Sequence, residues 1–90
     1  MYLLVRSPTQ VIWEGEVATV ESENQEGVFT IYPDHANFMT PLQDTDLIAS
    51  AVDGTEHAFA LIDAVLHLHD NVVKVYVHDA REATTAAEAE

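Results

Sequence analysis

The fold class follows most directly from one stretch of the sequence, Val65-Leu66-His67-Leu68-His69-Asp70-Asn71-Val72-Val73-Lys74-Val75-Tyr76-Val77-His78. Aliphatic and polar residues alternate on both sides of an Asp-Asn pair, and this pair has the chemistry of a tight turn. Alternation with a period of two places the aliphatic side chains on one face of a strand. The stretch therefore predicts a β-hairpin whose strands are residues 65–69 and 72–78.

Outside this hairpin, Gly and Pro residues divide the chain into short segments rich in Val, Ile, Phe, Tyr and Thr. Such segments are typical of strands joined by turns. The further predicted strands are residues 2–6, 10–13, 17–22, 28–31, 38–40, 45–52 and 57–62. A turn or bulge is expected at Asp63-Ala64, because an unbroken strand through residues 57–68 exceeds the usual strand length. About nine to ten short strands favour an all-β fold, an antiparallel β-sandwich or flattened barrel.

The chain length of 90 residues predicts a single domain, which we place at residues 1–79. Residues 80–90 are acidic and rich in Ala, and they contain no Leu, Ile, Val or aromatic residue. A helix of this length without apolar anchors is marginal in water. We therefore expect these residues to form a short flexible tail, frayed or disordered.

The charge of the chain excludes several classes of partner. The chain has sixteen Asp and Glu residues and three Lys and Arg residues, which gives a formal net charge of −13. Nucleic acids and anionic lipid surfaces require clustered cations, so direct binding to either is not expected. No apolar run reaches the length of a membrane span, so membrane insertion is not expected.

Enzymatic and cofactor chemistry finds little support in the sequence. The three glycines, at positions 15, 27 and 54, are too far apart to form a phosphate-binding loop or a dinucleotide fingerprint. No nucleotide cofactor is therefore predicted. Asp34-His35 resembles part of a catalytic triad that Ser7 or Ser22 would complete, but no nucleophile elbow surrounds either serine. The sequence therefore predicts no catalytic residues.

A metal site is the chemical alternative that stays open. His67 and His69 are two residues apart, so a strand places both imidazoles on one face, with Asp70 beside them. No zinc-type spacing accompanies them, and solvated residues on a polar face are the simpler interpretation. The alternative hypothesis is a free-standing, small acidic β-sandwich that binds a metal or small ligand through these histidines and neighbouring carboxylates.

A second stretch resembles a known family. Residues 26–42 read Glu26-Gly27-Val28-Phe29-Thr30-Ile31-Tyr32-Pro33-Asp34-His35-Ala36-Asn37-Phe38-Met39-Thr40-Pro41-Leu42. This stretch is similar to the signature of the epsilon subunit of rotary F-type ATP synthases, which typically reads E-G-x-x-x-I-x-P-x-H-A-P, then two hydrophobic residues and T. The similarity extends over residues 2–80. Asp34 and Asn37 depart from it where the family most often has Gly and Pro, and Asp63-Ala64 replaces a Gly-Gly turn.

The resemblance implies a function without catalysis. In the family, the β-sandwich domain belongs to the central stalk and couples ion flow, including hydrogen ion transport, to ATP synthesis. It binds the gamma subunit and the membrane rotor ring. The resemblance therefore implies a peripheral position at the cytoplasmic face of the cell membrane. The family usually continues into an inhibitory C-terminal helical hairpin, which we expect this chain, ending at Glu90, to lack.

The resemblance also implies a gamma-subunit interface. His35 and Thr40 match family positions that lie towards the gamma subunit. Phe38 and Met39 are candidates for an apolar anchor in the same interface. Alternation allows only one of these two side chains to point inward, so the outward one is the candidate contact.

A rotor-ring interface is expected on the acidic side. Glu26 matches the family turn that approaches the ring. Glu23 and Asp34 are further candidates, because carboxylates complement the cationic loops that many rings expose in the family.

Overall fold

The computed structural model describes residues 1–78 and 84–85, and every regular element in them is a β-strand. The strands are β1 (Tyr2–Arg6), β2 (Val11–Glu16), β3 (Thr19–Asn24), β4 (Gly27–Ile31), β5 (Phe38–Ser50), β6 (Glu56–His69), β7 (Val72–Val77) and β8 (Thr84–Thr85). The predicted all-β class is confirmed. The predicted tail lies outside the described residues except for Thr84–Thr85, which pairs with β6.

The strands form one continuous sheet in the order β2-β1-β7-β6-β5-β3-β4, with β8 on a branch beside β6. The long hairpin of β5 and β6 changes partners along its length. The beginning of β5 and the end of β6 adjoin β7, β1 and β2, whereas the end of β5 and the beginning of β6 adjoin β3, β4 and β8. We call these halves the first and the second layer, respectively.

Both layers contribute to one hydrophobic core. The first layer buries Leu3, Val5, Leu42, Ala64, Leu66, Leu68, Val73, Val75 and Val77, and the second layer buries Val20, Ile31, Leu47, Ala49, Phe59 and Leu61. At one edge, the Trp13 ring of β2 reaches Phe59 of β6 with centroids 6.1 Å apart. At the other, Phe29 and Phe38 meet edge to face at 5.8 Å. The layers therefore enclose the core as a β-sandwich.

The β5–β6 hairpin corrects the predicted strand count, because the described residues form eight strands rather than nine or ten. Predicted strands 38–40 and 45–52 merge into β5, which ends at Ser50, two residues before the predicted end. Predicted strands 57–62 and 65–69 are both part of β6. The break expected at Asp63-Ala64 was wrong, since Asp63 pairs with Gln43 and Ala64 with Leu42. The ladder is interrupted one residue earlier, between Asp44 and Ile62, and Asp44 has a left-handed φ of 50°.

This interruption reverses the inward face of both strands. In β5, Leu42 and Leu47 are both buried although they are five residues apart, and in β6 Leu61 and Ala64 are both buried although they are three residues apart. An odd separation places two residues on opposite faces of a regular strand. The hairpin therefore turns its other face to the core as it passes from one layer to the next.

Two further details differ from the expectation. The strands pair antiparallel except β1 and β7, which are parallel. Their connection spans most of the chain, and a long connection permits either direction. β3 begins at Thr19, two residues after the start of the predicted strand 17–22. The amide of Val17 donates to the Met1 carbonyl and that of Ala18 to the Ser50 carbonyl. These two residues carry the chain from one layer to the other.

Candidate interaction surfaces

The turn between β3 and β4 presents the first predicted surface. Glu23 and Glu26 are both exposed there. Asn24 holds the turn from within: its Oδ1 accepts a hydrogen bond from the Glu26 amide at 2.8 Å, and its Nδ2 donates to Thr40 Oγ1 at 3.1 Å. Gly27 follows with a φ of 125°, which residues with a Cβ rarely adopt. The two glutamates therefore project from an anchored turn.

Thr40 lies beneath this turn rather than on the surface. It is 7% exposed. Its hydroxyl accepts from Asn24 and donates to the Pro41 carbonyl at 3.2 Å. The structure thus gives the predicted gamma-facing threonine a positioning role in the turn that carries Glu23 and Glu26.

A groove of about 460 Å³ extends the acidic surface over the outer face of the second layer. Its lining includes four carboxylates around aliphatic side chains. The carboxylates belong to Glu21, Glu23, Asp44 and Asp46. Of these, sequence analysis selected only Glu23. Glu21 lies on the same exposed face of β3, and the pairing of β3 with β5 brings Asp44 and Asp46 beside them.

The loop between β4 and β5 is tied to the turn between β6 and β7. The Asp34 amide donates to Asn71 Oδ1 at 2.9 Å, and Asn37 Oδ1 accepts from the Asp70 amide at 2.9 Å. With its oxygen so engaged, the Asn37 amide group directs Nδ2 towards His69 Nδ1 at 3.3 Å. Both positions that depart from the family signature, 34 and 37, therefore hold this loop in place.

His35 is exposed in the same loop. Its Nδ1 donates to the Ala36 carbonyl at 2.8 Å, and its ring packs on Phe38 with centroids 5.3 Å apart. The other imidazole nitrogen points to no partner among the described residues. His35 therefore both shapes its loop and leaves a polar edge at the surface.

The three predicted ring residues do not form one cluster. Glu23 and Glu26 are at one end of β4, whereas Asp34 follows the other end. A strand of five residues spans roughly 16 Å. The structure therefore assigns Asp34 to the same loop as His35.

Phe38 and Met39 divide as alternation predicted. Phe38 is half-buried against Phe29 and His35. Met39 is 63% exposed. Only one of the two side chains points inward, as predicted, and the structure identifies Met39 as the outward one.

Met39 belongs to a larger surface that sequence analysis missed. One row of paired residues on the outer face of the first layer runs from Met39 through His67, Lys74 and Leu4 to Glu14. The next row of the same face holds Pro41, Val65, Tyr76 and Arg6. Five of these side chains combine exposed apolar groups with the cations of this layer, and we call them the basic-apolar patch. The patch consists of Arg6, Met39, Val65, Lys74 and Tyr76. Alternation in the hairpin identifies Val65, Lys74 and Tyr76 as outward-facing, but only the register joins them to Arg6 and Met39.

The histidine pair of the metal hypothesis lies at the end of this face. The His67 and His69 rings are 6.1 Å apart, and His69 Nε2 is 3.1 Å from Asp70 Oδ2. Lys74 lines the same hollow of about 220 Å³, and its positive charge opposes a bound cation. Within the described residues, no group of three or more His, Asp or Glu side chains is arranged to hold a metal ion.

The two serines of the triad hypothesis serve the backbone. Ser7 is buried, and its Oγ accepts from the amides of Thr9 and Gln10 at 3.3 and 3.2 Å. Ser22 is also buried and donates to the Asp46 carbonyl at 2.9 Å. Both hydroxyls are thus committed to the fold.

Among the described residues, no helix has the length and apolarity needed to cross a membrane. The two layers and their outer surfaces define a small acidic β-sandwich domain. Residues 1–83 match the family described as ATP synthase, Delta/Epsilon chain, beta-sandwich domain, and the chain belongs to this family. The resemblance stated from residues 26–42 is thereby confirmed.

Relatives in sequence and structure agree with this membership. The chloroplastic ATP synthase epsilon chain of Anthoceros angustus is 27% identical over 82 residues, which are 91% of this chain and 59% of that protein. A chain in the cryo-EM structure of the Euglena gracilis mitochondrial ATP synthase, OSCP/F1/c-ring, superposes with a TM-score of 0.83 at 19% identity, covering 98% of this chain and 54% of that chain.

A chain in the Tetrahymena thermophila mitochondrial ATP synthase, central stalk/c-ring, gives a TM-score of 0.71 at 16% identity, covering 87% of this chain and 63% of that chain. At these identities the structural matches describe the fold. The chain spans between 54% and 63% of the length of the three relatives.

Proposed function

We propose that the chain is the β-sandwich part of an epsilon-type central-stalk subunit of a rotary ATP synthase. In this role it has no catalysis of its own, binds the gamma subunit and the membrane rotor ring, and couples ion flow to ATP synthesis. Family membership over residues 1–83 carries the proposal. The central stalk and c-ring in the names of the structural relatives support it. The same proposal places the chain peripherally, at the cytoplasmic face of the membrane that holds the complex.

The proposed gamma interface combines an apolar contact with a polar loop. Met39 is an exposed apolar side chain of the family stretch, and His35 presents a ring edge in the adjacent loop. Phe38 supports this interface from below by packing on His35, whereas Thr40, the other residue predicted to face gamma, is buried and anchors the β3–β4 turn.

The proposed rotor-ring interface centres on the β3–β4 turn. Glu23 and Glu26 project from it, and its anchoring to Thr40 gives the carboxylates a defined direction. Charge complementarity with cationic loops would orient the contact more than it raises affinity. For Asp34, the proposal requires a second point of contact at the opposite end of β4.

Calorimetric titration with the gamma subunit tests the first interface. The proposal expects binding at one to one. Met39→Ser should weaken it by roughly tenfold or more, as truncation of a central apolar contact does. Val52→Ser is the matched control, because Val52 is an equally apolar residue, 88% exposed, in the distant β5–β6 turn. The absence of binding by the natural chain would overturn the proposal.

Ion-driven ATP synthesis in a reconstituted complex tests the second interface. Glu26→Lys should reduce coupling while changing the melting temperature little, because a surface charge change typically costs under about 0.5 kcal/mol. Glu56→Lys makes the same charge change at an exposed site at the start of β6. Equal coupling in both variants would contradict the assignment of Glu26 to the ring.

A further inference from the structure

Three hydrogen bonds hold the loop between β4 and β5 against the β6–β7 turn. The Asp34 amide donates to Asn71 Oδ1 at 2.9 Å. The Asp70 amide donates to Asn37 Oδ1, also at 2.9 Å. The third contact joins Asn37 Nδ2 to His69 Nδ1 at 3.3 Å. Histidine changes its charge in the physiological pH range, whereas backbone amides do not. One contact between loop and turn is therefore of a kind that pH can change.

The position of the hydrogen on the His69 ring follows from its two partners. The Asp70 amide can only donate, so it takes the oxygen of the Asn37 side chain and leaves Nδ2 facing His69. Nδ2 can only donate, so His69 Nδ1 accepts and carries no hydrogen. On the other side of the ring, Nε2 is 3.1 Å from Asp70 Oδ2 and donates to this carboxylate. Neutral His69 with its hydrogen on Nε2 therefore satisfies both contacts.

A second proton on His69 disrupts this arrangement. It binds to Nδ1, and the ring then presents an N–H group to the donor Nδ2 of Asn37. Turning the amide group over gives no remedy, because Nδ2 would then face the Asp70 amide, which is also a donor. The contact with Asp70 Oδ2, by contrast, becomes a hydrogen bond between opposite charges and is strengthened. Protonated His69 therefore keeps Asp70 and releases Asn37.

The charged groups around His69 act on this proton in opposite directions. Asp70, in direct contact, attracts it. Lys74 on β7 lines the same hollow and repels it. His67, whose ring is 6.1 Å away on β6, repels it when protonated. Both histidines titrate in the same range, so His67 is the neighbour whose titration a test must separate from that of His69.

The loop between β4 and β5 adds two titratable side chains, Asp34 and His35. Within the described residues, neither makes a hydrogen bond or ion pair with the His69 ring, and the loop reaches this ring through Asn37. Asn37 stands where the family signature most often has Pro, and Pro has no side-chain amide. The contact therefore belongs to this chain rather than to the signature.

We infer that Asn37, His69 and Asp70 form a pH-sensitive latch, which is closed when His69 is neutral and loosened when it is protonated. The closed latch fixes the β4–β5 loop against the β6–β7 turn. The loosened latch leaves the bond from the Asp34 amide to Asn71 between them. The latch goes beyond the proposed function and does not depend on it, because every contact in it lies within this chain.

Amide hydrogen exchange of the full chain at about pH 5.5 and about pH 8, on either side of the range in which histidine titrates, tests the latch. Each rate is divided by the rate for an unstructured amide at the same pH. Protection of the Asp70 amide should be roughly two- to tenfold lower at the acidic pH, the effect of one net hydrogen bond. Amides in the middle of β7 should keep their protection. Equal protection of the Asp70 amide at both pH values would overturn the inference.

Two glutamine variants identify the group that titrates. His69→Gln removes the ring from the latch, so protection of the Asp70 amide should become the same at both pH values. His67→Gln is the matched control, because it makes the same change two residues earlier on β6 and should keep the pH dependence. If the pH dependence disappears in His67→Gln, or persists in His69→Gln, another group causes it and the inference is wrong.

Nitrogen-15 NMR of the natural chain tests the latch without any substitution. At about pH 8, above the usual range of histidine titration, His69 should carry its hydrogen on Nε2, and Nδ1 should give the signal of an imidazole nitrogen without hydrogen. A hydrogen on Nδ1 at this pH would overturn the inference. All these measurements use the chain alone. Failure of the latch therefore leaves the proposed function standing, and failure to bind the gamma subunit leaves the latch standing.

Discussion

Asp44 lies where the long hairpin passes from one layer to the other. It interrupts the ladder between β5 and β6 and has a φ of 50°. Asp and Asn enter this left-handed region with little strain, whereas a β-branched residue there is an outlier. Substitution of Asp44 by Val should therefore destabilise the fold although the side chain is exposed.

The size of the effect follows from the backbone. The left-handed conformation costs an ordinary L-residue roughly 1–2 kcal/mol, so Asp44→Val should lower the free energy of unfolding by about that amount. For a domain of 60–100 residues, each kcal/mol lowers the melting temperature by roughly 4–8 °C. If the backbone straightened instead, Leu42 or Leu47 would turn to solvent, at a cost of roughly 1.5–3 kcal/mol for that side chain. Thermal and urea unfolding followed by circular dichroism measure the loss.

Two control variants isolate the backbone term. Asp44→Asn removes the same charge but tolerates the left-handed region, and its stability should stay within about 0.5 kcal/mol of the natural chain. Gln43→Val places the same side chain at the preceding exposed residue, which is not among the residues of positive φ. Equal destabilisation of Asp44→Val and Gln43→Val would refute the reasoning.

Three further outcomes are expected. Leu66→Ala, at a fully buried position, should cost about 2–5 kcal/mol in urea unfolding, whereas Val28→Ala on the exposed edge should cost under about 0.5 kcal/mol; similar losses would contradict the core assignment. The backbone hydrogen bond from Thr55 lowers the pKa of Asp53 in the folded chain, so the ionised carboxylate stabilises the fold above the unfolded pKa of about 4. This stabilisation is lost as pH falls through the lower pKa of the folded chain. Asp53→Ala should therefore reduce the loss of stability in acid, and a pH profile of unfolding equal to that of the natural chain would contradict this expectation. Asn37→Ala should speed hydrogen exchange at the Asp70 amide, which loses its acceptor, while leaving amides in the middle of β7 protected; unchanged exchange at Asp70 would show that this contact does not hold the loop.

Several elements of the fold are local enough for sequence analysis to find them. The hairpin at residues 65–78 is present as the end of β6 and β7, and the turn pair Asp70 and Asn71 has φ values of 49° and 67°. These values match a tight hairpin turn, which Asp and Asn favour. Similarly, β1 and β4 agree with their predicted bounds to within one residue. Alternation and turn chemistry act within about ten residues, which is why they can be read along the chain.

The candidate surfaces were only partly accessible to the same reasoning. Alternation, a local property, predicted that only one of Phe38 and Met39 points inward, but only the structure shows that Met39 is the outward one. The separation of Asp34 from Glu26 was missed, since two residues eight apart belong to one signature but to opposite ends of β4. The buried position of Thr40 was also missed, because it depends on a hydrogen bond from Asn24 in another strand.

Amino-acid order alone specified an all-β domain, its strand-rich segments, the β6–β7 hairpin and a strongly acidic surface. Only the folded chain decided that β5 and β6 each pass through both layers with one interruption of their ladder at Asp44, that β1 lies parallel to β7, and that Arg6 and Lys74 share one face. The physical reason is the range of the interactions. Strand propensity and turn chemistry are settled between neighbours along the chain, whereas register between distant strands is settled by which pairing buries the most apolar surface.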